Sequence, residues 1–285
     1  DLLKWSKKNK VLITFHAEDE NLIKAAHCDL LARKMTGPSF HAESRPVISE
    51  VMAVKKVIEL ADEVDTPVYF VHISSYQAAR MIQQAQDNKK KILAETCPHY
   101  LYLNSEIYTT HLQPQLFIMC PPLREENERI ELWKAVEQGV ISVIATDHCA
   151  FSKNDKLKAN TYFNTPAGIP GVETMLPLLF NAVHDGKLDI IKMAQMLSTN
   201  PAKIFGLYPN KGVISEGSYA DIVVLNPVIE KTLTSSELNS KAMFTPFEGK
   251  RIFGSPEITL LRGKVVFREG QFFGSKGLGK FLSAD

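Results

Sequence analysis

Apolar positions follow two rhythms along the first half of the chain. Short continuous runs rich in β-branched side chains occupy 11–16, 67–72, 91–96 and 141–147. Runs of that length, bounded by polar or proline-bearing stretches, predict buried strands. Between them, apolar residues recur at spacings of three and four. Val47, Val51, Val54, Ile58 and Ala61 predict an amphipathic helix opened by Arg45-Pro46. Ala78, Ile82 and Ala85 predict a second, capped by Ser74 or Ser75. Residues 125–138 predict a third, with Ile130, Trp133, Ala135 and Val136 inward or nearly so and Gly139 as its stop. The stretch after His16 reads as a polar loop with Gly37-Pro38 as a turn, and the apolar run Phe117 to Cys120 is stopped by Pro121-Pro122. Strands alternating with helices imply a parallel sheet with crossover helices, an α/β fold.

Further along, the rhythm changes. Residues 151–171 form a loop rich in Asn, Lys, Gly and Pro, long enough to serve function rather than mere connection. Helices are predicted over 172–185, 189–198 and 200–207. From Gly212 on there are short strand candidates at 220–226, 251–253, 258–262 and 265–268, with Thr232 as a weak single position. The division that follows is an α/β part over 1–211 and a small β module over 212–285.

Composition narrows the classes. With 285 residues, 45% hydrophobic and 23% charged, the chain has the composition of a globular protein. A net charge of +1 gives no basic face, which argues against nucleic acid or an anionic membrane as partner. No apolar run reaches the roughly 18 residues of a membrane span, and no signal peptide is visible. Cys28, Cys97, Cys120 and Cys149 are widely spaced without a C-x-x-C pair, so neither a thiolate cluster nor a disulfide framework is expected. Reduced core cysteines in a cytoplasmic protein are the expectation. The first residue is Asp1, and residues 2–10 read as the end of an amphipathic helix, so the chain is expected to begin within a fold.

Three of the predicted strands close on His16, His72 and Asp147. Catalytic groups of parallel barrels sit at the C-terminal ends of strands. Imidazole and carboxylate there suit zinc and similar divalent ions. One strand-end histidine is more often structural than a ligand; three residues at equivalent positions shift the reading towards a metal site.

A resemblance extends this. The segments FHAEDENLI (15–23), SRPVISE (44–50), VYFVHIS (68–74), ETCPHYLYL (95–103), MCPPLRE (119–125), IATDHCAF (144–151), GIPGVET (168–174) and the long stretches 198–227 and 245–272 follow one another in a family's order. The chain resembles the cyclic amidohydrolases of the amidohydrolase superfamily: hydantoinase or dihydropyrimidinase, with allantoinase and dihydroorotase close. The resemblance implies the C-terminal half of a TIM-like (β/α)8 barrel, followed by strands of a small β-sandwich domain. It implies two divalent metal ions, zinc being the expected metal, with His16 and His72 on one and Asp147 on the other. It also implies that Asp147 shuttles the proton in hydrolysis of a small cyclic amide, and that the enzyme is a homotetramer or dimer.

The same pattern asks for an H-x-H on the first strand and a bridging carboxylated lysine on the fourth. Neither is found here among the eight histidines or in the lysine-rich segment 4–10, so these ligands are expected in a missing N-terminal part. Substrate contacts map onto Cys120, where many hydantoinases have serine and dihydroorotases asparagine, and onto Ala167, where hydantoinases usually have asparagine. Gly168-Ile169-Pro170-Gly171 and the Asp of HAED lean towards allantoinase and dihydroorotase; the run 277–282 leans back to hydantoinase. A metal-free adaptor-type homologue is the non-enzymatic alternative.

Other polar residues rank lower. His148 is read either as a support behind Asp147 or as a rim residue, and His99 as structural in preference to pocket-lining. His27, His41, His111 and His184 lie in polar stretches and are expected in solvent. Cys149 lacks a base, so packing is its expected role. Arg124 is expected to pair with a carboxylate.

Overall fold

A computed structural model describes residues 1–284. The four apolar runs form one parallel sheet, β1 (Ile13–Phe15), β2 (Val68–Phe70), β3 (Ile92–Thr96) and β4 (Val143–Ile144), ordered β1-β2-β3-β4. Ile13 pairs with Val68, Val68 with Ile92, and Glu95 with Val143. All three residues of β2 are buried, as expected of a strand covered on both faces.

The crossover helices bury the stripes their periodicity gives them. Val47–Val64 buries Val54, Ile58 and Ala61, and Tyr76–Asp87 buries Ala78, Ile82 and Ala85. Helix Glu126–Gln138 buries Leu132, Trp133, Ala135 and Val136 and stops at left-handed Gly139. Ile130, expected inward, is 44% exposed. It lies two positions before Leu132, on the far side of a helix that turns about 100° per residue.

The supposed loop after His16 contains a helix, Glu20–Ala32. Only Leu30 in it is buried, so its apolar period is faint; the local signal is Asp19, whose side chain accepts from the backbone N–H of Asn21 and Leu22. The loop 151–171 likewise holds a short helix, Lys153–Leu157, capped by Ser152.

The chain divides into two compact units, one of residues 1–172 with 238–246, the other of 173–237 with the residues from Phe247 on. In the second, helix Met175–His184 precedes a helical run in which Ile190–Ala194 passes through a π-turn, Gln195–Thr199, into Asn200–Ile204. Pro201 cannot donate to the preceding turn, which favours that widened turn. The antiparallel sheet β5 (Ile222–Thr232), β6 (Arg251–Leu261), β7 (Lys264–Arg268) and β8 (Gln271–Phe272) completes the unit. β6 joins two segments expected to be separate. Gly254 there has φ +79, and a Cβ on it would lie 2.1 Å from the Phe180 ring; Pro256 sits at a register shift opposite Leu225.

Candidate active site

The parallel sheet brings His16 and His72 together. His16 follows β1 directly and His72 stands two residues beyond β2. His16 Nδ1 lies 3.0 Å from His72 Nε2, with the rings edge to face. Burial, then the neighbouring His16, pulls His72 down to about 4, so its ring is a neutral imidazole at pH 7 and a competent ligand. Its buried Nδ1 has no hydrogen-bond partner among the described residues.

The His16 ring is held from behind, and the turn beyond His72 is held at its backbone. His16 Nε2 is 3.0 Å from Glu18 Oε2, and Arg45 Nε and Nη2 grip the same nearly buried carboxylate. Burial pushes Glu18 up, but the hydrogen bonds from His16 and Arg45 and the charges of Arg45 and Arg124 hold it at about 2. Beyond His72 the chain enters helix Tyr76–Asp87, whose N-terminal N–H groups need acceptors. Glu50, fully buried, accepts from the backbone N–H and hydroxyl of both Ser74 and Ser75. Glu128 accepts from the N–H of Tyr76 and Gln77. Two carboxylates at that helix start also oppose its positive end. Arg124, expected to meet a carboxylate directly, instead donates to Ser74 Oγ at 2.9 Å and so reaches Glu50 through a hydroxyl.

Asp147 leaves β4 at φ 43, and His72 leaves β2 at φ 41. Two non-glycine residues in the left-handed region at equivalent strand ends mark a strained pair of the kind that collects at functional sites. Burial raises the Asp147 carboxyl above its usual value, opposed by the charge of His16. Asp147 is half-buried. Glu95, also raised by burial, accepts from Tyr69 Oη at 2.6 Å.

Cys120 and Ala167 line one cavity of about 310 Å3, with His27, Arg45, Tyr162 and Thr165 also on its wall. Burial pushes the Cys120 thiol up to about 11, so it is neither a thiolate nor a nucleophile at neutral pH. His148 Nδ1 accepts from the N–H of Gly171 and Val172, tying the strand end to the close of the long loop.

Several lesser expectations change. His41 is not in solvent: it is 3% exposed, with Nε2 2.8 Å from Met119 O. His27 is half-buried against Tyr162 Oη at 2.8 Å, and His184, though exposed, stacks on Phe253. His111 is exposed. His99 is buried beside Tyr100. Of the cysteines only Cys97 is buried; Cys28 and Cys149 are exposed. Sequence reasoning missed Lys156, the side chain that gathers the most carbonyl oxygens in the loop region. It stands in a run of Lys, Asn and Asp, and only the capping pair Ser152 and Asp155 hints at the helix that carries it.

A divalent ion fits this chemistry. Two imidazole nitrogens converge at 3.0 Å, and a carboxylate coupled to one of the rings stands at an equivalent strand end. Among the described residues no three His, Cys, Asp or Glu side chains form a closed cluster; of this donor set, the two imidazoles are the groups that converge.

Comparison with known proteins gives a consistent family. The pattern of the amidohydrolase family matches residues 2–265. D-phenylhydantoinase of Escherichia coli O1:K1 / APEC is 35% identical over 275 residues, 95% of this chain and 59% of that protein. D-hydantoinase of Ralstonia pickettii is 33% identical over 278 residues, 96% of this chain and 61% of that one. The crystal structure of dihydropyrimidinase from Brevibacillus agri NCHU1002 matches with a TM-score of 0.95 at 32% identity, covering 99% of this chain and 62% of that one. D-hydantoinase (dihydropyrimidinase) from Thermus sp. matches with a TM-score of 0.95 at 34% identity, covering 98% and 62%. The chain spans about three-fifths of the length of the curated relatives it matches. The fold is therefore the expected one: parallel strands and helices of a TIM-like barrel, followed by strands of a β-sandwich.

Proposed function

The chain belongs to the amidohydrolase family, and from that premise we propose that its protein hydrolyses a cyclic amide, opening a hydantoin or dihydropyrimidine ring. The observation that carries this is the convergence of His16 and His72 at 3.0 Å in the sheet that also delivers Asp147. In this reading His16 and His72 hold one divalent ion and Asp147 a second, with zinc as the metal. Bound ions of this kind activate water at neutral pH and polarise a carbonyl. The H-x-H and the carboxylated lysine that complete the family's pattern have no counterpart in these 285 residues.

Asp147 moves the proton. Its carboxylate accepts the proton of the attacking water and delivers it to the ring nitrogen as the C–N bond breaks. A carboxyl whose affinity for protons is raised by burial suits both halves of that exchange. Glu18 and Arg45 fix the His16 ring, and Glu50 fixes the turn beyond His72. The backbone at Cys120 and Ala167 holds the amide ring in place through its polar groups.

The names of the relatives favour hydantoin and dihydropyrimidine rings. Ala167 and the Gly168-Ile169-Pro170-Gly171 segment support allantoinase or dihydroorotase as the second reading. We further assign a cytoplasmic homotetramer or dimer with a small-molecule substrate, and place the boundary between barrel and β-sandwich parts at 211/212.

Metal analysis tests the site. Full-length protein should carry divalent metal, with zinc in excess over other ions, and His16→Ala and His72→Ala should each lose part of it. Both variants retaining the wild-type metal content would remove the two imidazoles from the centre.

A further inference from the structure

We propose that Lys156 is a positioning residue for substrate, a buried ammonium that locks the two ring-facing backbone segments around Cys120 and Ala167 into one register. This rests on the reading that those segments face the ring.

Lys156 is completely buried. Its Nζ donates to Ile118 O at 2.9 Å, Pro166 O at 2.7 Å and Gly168 O at 2.9 Å. An ammonium has three N–H donors and a neutral amine two, so three carbonyl acceptors match the charged form. Burial pulls the group down to about 7. Among the described residues no carboxylate is paired with it. An apolar side chain of similar length would fill the same space without the desolvation that a buried cation costs. What an apolar side chain cannot do is hold three carbonyl dipoles aimed at one point, because without a cation their oxygens repel one another.

Those carbonyls are placed to matter. Pro166 and Gly168 flank Ala167 on both sides. In a trans peptide the C=O and the following N–H point in opposite directions. Holding Pro166 O therefore aims the Ala167 N–H away from Lys156. His41 performs the matching service by holding Met119 O at 2.8 Å, which aims the Cys120 N–H. Gly168 N–H donates to Ile118 O at 2.9 Å and joins the two segments directly. A Cβ on Gly168 would lie 2.4 Å from Cys149 O, so the loop has no slack on that side.

The test uses full-length protein and a hydantoin or dihydropyrimidine substrate, with kcat, KM, metal content and Tm measured for Lys156→Met and Lys156→Gln. We expect Lys156→Met to raise KM about tenfold, with a much smaller change in kcat and unchanged metal content. Lys156→Gln keeps amide donors and should fall between Lys156→Met and wild type; if Lys156→Met does not fold, Lys156→Gln carries the test with a raised KM. A lowered Tm with wild-type KM in the folded variants means that Lys156 only stabilises the fold, and overturns this inference alone. Wild-type protein inert towards every cyclic amide overturns the proposed function, and this inference with it.

Discussion

The two sides of the candidate site are built differently. His16, His72 and Asp147 are delivered by strands of one sheet, whose buried apolar residues leave little freedom at the strand ends. Cys120 and Ala167 sit on irregular backbone, where the side chains of Lys156, His41, Tyr100 and Tyr108 and the N–H of Gly168 hold nearby carbonyl oxygens. Strands place chemistry by covalent geometry and packing. Loops need an added clamp, and a clamp with few members concentrates the effect of a substitution.

The largest effect belongs to the strand side. Asp147→Asn should leave the fold intact and lower turnover by about a thousandfold or more, because an amide cannot take the proton. Steady-state rates on folded, metal-loaded variant decide it, and wild-type-like kcat would withdraw the shuttle role. Glu50→Ala strikes the support behind His72. Four donors from Ser74 and Ser75 lose a buried acceptor. A loss of about 3 kcal/mol in denaturant unfolding is expected; less than about 1 would mean the turn rearranges freely.

On the loop side, acid is the probe. Burial holds His41 down at about 4, below its ordinary 6.5. Between those values the unfolded chain binds more protons than the folded one, so stability rises with pH there and falls on acidification from 6.5 towards 4. The component is on the order of 3 kcal/mol and should be missing in His41→Gln. Identical pH slopes for the two proteins across that window would contradict it. The smallest effect is a control. Gly139→Ala, at φ +82 with open space around its Cβ, should cost about 1 kcal/mol and leave kinetics unchanged. A kinetic change there would show that general destabilisation leaks into the site and would blunt the comparison.

The strand side is largely legible in the sequence and the loop side is not. Continuous apolar runs ending on His or Asp announce both a strand and what it delivers, so His16, His72 and Asp147 stand out. The conformations of His72 and Asp147 do not, since neither residue type demands a left-handed backbone. Glu50 falls on the helix face read as apolar and is buried only because two serines beyond the next strand need an acceptor, a pairing with no local signal. Lys156 and His41 are unreadable for the same reason. A lysine in a charged run and a histidine in a polar stretch look solvated until tertiary structure brings carbonyl oxygens to them. β6 shows the converse error, where Gly254 and Pro256 look like punctuation yet a register shift carries the strand through.

The most direct measurement is ring opening by full-length, metal-loaded protein across hydantoin, dihydrouracil, allantoin and dihydroorotate. The account predicts hydrolysis of the first two in preference to the others, with activity removed by chelation and restored by zinc. Protein that purifies without divalent metal and opens none of the four rings would contradict it.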